Sequence, residues 1–278
     1  MAEQQQQQLY QCEVCVTSVY GCAVAERSGA DRVELCSALS EGGLTPSAGL
    51  IALCRQTLAV TKLHVLLRPR AGDFLYDGDE LRVMGADLVQ AQNLGADGVV
   101  LGCLRADGTL DLAQIAALLS DVEPHTAVTL HRAFDMVKDQ EQALLQVLEF
   151  NARRRSDQAK ISRILTSGGE ASALAGKEQL KYLQDCLNHH ASSQLTLLAG
   201  AGINAQNIVG LVQHTGVREF HFSGSGVVPS RMLYRHPRVH MGIAGADEYS
   251  VGITDPEKVQ DTIAALRSLE TGKGQGRS

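Results

Sequence analysis

Short β-type runs alternate with longer helical runs along the whole chain, and this alternation constrains the fold more than any single motif. Strand-like runs are read at 12–16, 32–35, 62–67, 99–101, 127–130, 163–165, 195–199 and 219–222. Helical patterns follow them at 19–28, 46–58, 80–94, 112–120, 140–150, 178–190, 205–215 and 256–269. Strands separated by helices pair in parallel, because each helix carries the chain back across the sheet. Eight such units predict an α/β fold of the (β/α)8 type, a parallel eight-stranded TIM barrel ringed by helices. An open doubly wound sheet is the competing arrangement. Ser18 is the expected N-cap of the first helix, and Pro46 is expected to open the second in its first turn.

The 278 residues suit one domain over 11–270, since barrels of this type run to about 250 residues. The Gln-rich stretch 1–10 and the Gly-rich stretch 271–278 read as disordered tails. The polar run 151–160 (NARRRSDQAK) reads as an exposed loop. Aromatics make up only 4% and Trp is absent, so aliphatic side chains must fill the core. The net charge of −6 argues against a nucleic-acid or anionic-membrane surface, which needs a basic face. It leaves room for a small anion at a local positive site. No apolar run approaches the ~20 residues of a membrane helix. The first 11 residues lack the basic start and apolar stretch of a signal peptide. A reducing, cytoplasmic setting follows, and the seven cysteines read as free thiols.

Side chains in a barrel strand alternate between lumen and helix layer. With Val14, Val16, Val33 and Leu35 facing the helices, Glu13 and Cys15 face inward, as do Glu34 and Cys36. Arg68 and Arg70 end the third strand, His131 ends the fifth, and His221 lies in the eighth. This polar set gathers at the C-terminal end of the strands, where barrel sites lie. A structural ion-pair network is the alternative use of the same carboxylates and arginines.

Cys12 and Cys15 form a C-x-x-C, but three residues along a strand send them to opposite faces. Cys15 and Cys36 instead share the lumen face of neighbouring strands, about 4.8 Å apart. Paired thiols suit a soft ion such as Cu(I); simple packing of two small residues is the other reading. Ser167, Gly168 and Gly169 after the sixth strand, and Gly200 and Gly202 after the seventh, are candidate anion-binding turns. Ser223 to Gly226 forms a similar turn after the eighth. As an enzyme, the chain would use Glu13 or Glu34, with a raised pKa, as general base. Arg68 and His131 would then stabilise negative charge on a small anionic or phosphorylated substrate.

Several stretches together resemble the copper homeostasis protein family CutC. They include 29–37 (GADRVELCS), 39–47 (LSEGGLTPS), 68–76 (RPRAGDFLY), 95–102 (GADGVVLG), 131–135 (HRAFD), 165–169 (LTSGG) and Tyr234-Arg235. The resemblance runs from about residue 12 to 265. It implies a (β/α)8 barrel, a cytoplasmic or also nuclear location, and a homo-oligomer, dimer or tetramer. It also implies a role in copper handling, with copper ion as partner and neither nucleic acid nor membrane. Two cysteines proposed as Cu(I) ligands in animal members correspond to Cys15 and Cys36. Two departures stand out. Ala201 replaces the middle glycine of a usual triplet, which strains the backbone if φ there is positive. The run 153–160 is an unusual insertion.

Overall fold

The structure is a computed structural model that describes residues 9–190, 194–239, 241 and 247–271. Of the expected tails 1–10 and 271–278, residues 1–8 and 272–278 lie outside the described residues, while the Leu9 and Tyr10 amides donate to Glu270 Oε1 and the last helix runs to Thr271. The strands of the barrel are β1 (Gln11–Val16), β2 (Arg32–Leu35), β3 (Lys62–Leu66), β4 (Gly98–Leu101), β5 (Ala127–Leu130), β6 (Ile161–Thr166), β7 (Thr196–Ala199) and β8 (Glu219–Phe222). They pair in sequence order, all parallel, and β8 pairs with β1 to close the ring. Closure excludes the open sheet.

Among the described residues eight α-helices form the outer layer. They are α1 (Val19–Arg27), α2 (Ala48–Thr57), α3 (Gly78–Asn93), α4 (Leu112–Leu118), α5 (Gln140–Arg153), α6 (Lys177–His189), α7 (Ile208–Thr215) and α8 (Pro256–Thr271). Side chains cap several of them. Ser18 accepts from the Gly21 amide, and Asp77 and Glu80 make a reciprocal capping box on α3. Ser47, not Pro46, starts α2: its hydroxyl accepts from Leu50 N–H, which leaves Pro46 just outside the helix. The polar run at 151–160 is only partly a loop. α5 continues to Arg153, and Asn151 pairs with both backbone groups of Ile161.

The expected alternation is present in the packing. Val14, Val16, Val33 and Leu35 belong to the large core between barrel and helices. Cys15 and Cys36 form a separate small cluster with Leu66 and Val100 inside the lumen. Cys12 joins the outer core, so the C-x-x-C does point two ways. Between β8 and α8 the chain makes an antiparallel ribbon, β9 (Ser225–Pro229) with β10 (Ser250–Thr254). The glycine turn expected at 223–226 is thus the start of a strand pair. Among the described residues no helix is long and apolar enough to cross a membrane.

Candidate functional site

The lumen is divided into two storeys. In the lower one, Arg32 from β2 donates to Glu13 Oε2 at 2.8 Å and to Glu219 Oε2 at 2.8 Å. Arg163 from β6 also donates to Glu219, at 2.7 Å. Glu13 is completely buried. Burial alone would raise its carboxyl, but the Arg32 and His221 charges outweigh burial and hold it well below the usual carboxylate range. This part of the lumen is the structural ion-pair network. Glu13 is therefore placed below the cavity rather than in it, and a carboxylate so firmly held is a poor general base.

His221 joins the storeys. Its Nδ1 lies 2.8 Å from Glu13 Oε1 and its Nε2 lies 3.6 Å from Glu34 Oε2. Burial disfavours its charged form, yet Glu34 and Glu13 overcome that and raise its pKa. Glu34 is raised in turn, by burial first and then by the Glu13 charge, with His221 and Cys15 opposing.

The upper storey opens at the C-terminal ends of the strands as a cavity of about 260 Å³. Cys15, Glu34, Cys36, Arg68, His131 and His221 all line it. At its floor Cys15 Sγ and Cys36 Sγ are 3.6 Å apart, both buried. Cys15 is held protonated by its hydrogen bond with Cys36 and by burial, which raise its pKa well above the ordinary thiol value. One ligand atom each from Cys15, Glu34 and His221 fall within 4.8 Å of one another. That donor set of sulfur, carboxylate and imidazole fits a cation, and the second thiol beside it makes the set soft.

The cavity wall carries unsatisfied polarity. His131 Nδ1 accepts from the Ala133 amide, so the proton of this neutral ring is on Nε2. Nε2 is buried and has no hydrogen-bond partner. Burial and the Arg68 charge push the His131 pKa down to about 3. Gly102 makes the placement possible, because a Cβ there would stand 2.7 Å from the imidazole. Arg68 is 6% exposed and donates to the carbonyls of Glu41, Gly43 and Gly72. No described carboxylate pairs with it. Phe74 packs against both groups, its ring centroid 5.0 Å from the Arg68 guanidinium and 4.8 Å from the His131 imidazole.

Other expected site residues are engaged elsewhere. The Ser167 and Gly169 amides donate to the Asp135 carboxylate, the Gly168 amide to Thr166 Oγ1, and the Gly200 amide to the Thr166 carbonyl. The chain's own carboxylate thus fills the nest that was expected to take an anion. Gly202 does line the cavity, beside Ala201. Ala201 sits at φ 79°, the strained left-handed conformation foreseen for it. Arg70 lies outside the cavity, paired with Glu80 and Asp73 and stacked on Tyr76. Arg32 and Glu219 were not expected; both sit at lumen positions by simple alternation with Glu34 and His221.

A model of the CutC family matches residues 10–226. A CutC family protein of Bacteroides thetaiotaomicron is 45% identical over 260 residues, 93% of this chain and 99% of that protein. One from Chromobacterium violaceum is 43% identical, covering 91% of this chain and 97% of its own. A solved CutC structure from Streptococcus agalactiae, named as a candidate copper homeostasis protein, superposes with a TM-score of 0.68. It is 29% identical and covers 77% of this chain and 98% of its own. Thiamine phosphate pyrophosphorylase from Pyrococcus furiosus superposes at 0.52 with 12% identity, over 94% of this chain and 98% of its own, a likeness of fold alone.

Proposed function

The chain belongs to the CutC family, and from that premise we propose that it handles copper, taking Cu(I) between the thiolates of Cys15 and Cys36. The observation that carries this reading is the pair of buried sulfurs 3.6 Å apart at the floor of an open cavity. Cu(I) favours sulfur donors. The sulfurs part slightly to admit the ion, and both protons leave. Two thiolates around one Cu(I) carry a net negative charge, which His221, whose protonated form Glu34 and Glu13 favour, offsets. The name of the Streptococcus agalactiae relative supports the same role. Work in the cytoplasm, or also the nucleus, as a homo-oligomer belongs to this reading.

Anaerobic titration with Cu(I) against a chromogenic chelator tests it. About one ion per chain is expected, lost in Cys15→Ala and in Cys36→Ala. A double variant that binds at wild-type stoichiometry sinks the reading.

A second reading is a barrel enzyme acting on a small anionic or phosphorylated molecule. It is favoured by the unpaired Arg68 charge and the partnerless His131 Nε2–H in the same cavity. A bare ion needs neither.

A further inference from the structure

Three features of the cavity are unused by a copper ion. The first is its size: 260 Å³ is room for several atoms, given that one water occupies about 30 Å³ of liquid. The second is a buried cation, Arg68, whose hydrogen bonds all go to neutral carbonyls. A buried charge without a counter-charge is costly, and an incoming anion relieves it. The third is a neutral imidazole, His131, with its Nε2–H unpartnered and 5% of the residue exposed. A neutral N–H donor is suited to a carbonyl oxygen that gains negative charge during a reaction.

Across the cavity from His131 stands a carboxylate. Glu34 is on β2 and His131 follows β5, three strands apart around a ring of eight, and both line the cavity. A small molecule between them meets an acceptor of protons on one side and a donor to oxygen on the other. That is the arrangement for removing a proton from carbon next to a carbonyl.

We propose that this cavity enolises short 2-oxo acids, with Glu34 as the base, His131 Nε2–H on the carbonyl oxygen and Arg68 opposite the carboxylate. The inference rests on the small-anion reading and is independent of copper. The step balances within the site. Glu34 takes a proton from C3, the C–H electron pair forms the C2–C3 double bond, and the carbonyl π pair moves to the oxygen. His131 stabilises that oxygen through its N–H. The Glu34 carboxylic acid, which lines the open cavity, exchanges its proton with solvent and returns a proton (in D2O, a deuteron) to C3, which restores the ketone; no oxidant, reductant or co-reactant takes part. Glu13 is not an alternative base, because Arg32 and His221 occupy both its oxygens. The apolar wall of Leu66, Phe74 and Leu165 accommodates a short alkyl chain.

The test uses the metal-free full chain in D2O with pyruvate and 2-oxobutyrate as probes. Proton NMR follows loss of the C3 hydrogens, and saturation-transfer NMR follows binding. Both probes are expected to bind. Exchange should exceed the buffer rate, with a single deuterium entering 2-oxobutyrate, because the base faces one side of C3. Glu34→Gln should cut exchange by about a hundredfold or more while binding persists. Binding without exchange, double deuteration of 2-oxobutyrate, or exchange that survives in Glu34→Gln overturns the proton transfer and leaves the small-anion reading standing. Failure of both probes to bind overturns both. The stereochemical count needs only the wild-type chain, so it decides even if the variant does not fold.

Discussion

Arg32→Met removes the guanidinium at the centre of the lower lumen while keeping most of its volume. Glu219 keeps Arg163 at 2.7 Å, but Glu13 loses its only guanidinium and retains His221. Breaking a buried pair by removing one partner costs about 3–5 kcal/mol, and the remaining partners put this case near the lower end, at about 3 kcal/mol. For chains of this size that corresponds to a fall in melting temperature of roughly 6–12 °C. The loss should depend on pH in a defined sense. In the wild type, Glu13 sits below its ordinary value of 4.5. Its contribution is therefore fully present above that value and disappears only in stronger acid. In the variant, burial is less opposed, and Glu13 moves upward in the folded state. The folded variant then binds a proton more readily than the unfolded chain, and it loses stability as pH rises. The gap between the two proteins should be widest at pH 7–8 and narrow toward pH 5. Urea melts at several pH values measure it. A gap below about 1 kcal/mol, or one independent of pH, would refute the view that Glu13 is held ionised by Arg32.

Two further outcomes are expected. Ala201→Gly should stabilise the chain by about 0.5–1 kcal/mol, since the left-handed conformation costs an L-residue about 1–2 kcal/mol and glycine returns part of that as chain entropy; a urea midpoint that falls would contradict it. Cu(I) affinity should rise with pH, because the Cys15 thiol is held protonated by Cys36 and burial and must lose its proton to bind. Chelator competition at pH 6 and pH 8 reads this, and equal affinity at both would count against thiolate ligation.

The barrel was legible because alternation of strand and helix permits few closures, and the inward face of β1 and β2 because the outward residues are plainly apolar. Alternation fixes a side but not a depth. Glu13 and Cys15 share a face, yet one lies in the ion network and the other at the cavity floor. Arg32 faces inward by the same rule, but at the start of a strand it looks like a solvated end. The Asp135 carboxylate in the Ser167–Gly169 nest is illegible in the sequence for a different reason. A glycine turn shows that amides are exposed, whereas the group that meets them comes from a short 3-10 helix over thirty residues earlier in sequence. The β9–β10 ribbon lacks a strong pattern, since Gly226 and Pro229 dilute its valines.

The closed lower storey has a consequence for traffic. Arg32, Glu13, Glu219 and Arg163 stopper the barrel from below with interlocked charges. The upper cavity is a cup with one rim, cut off from the separate pocket that Arg32, His64 and Arg163 line at the other end of the barrel. Whatever enters past Arg68 and His131 must leave the same way, so loading and unloading take turns at a single doorway. A partner that collects the contents has to visit the rim from which they were delivered.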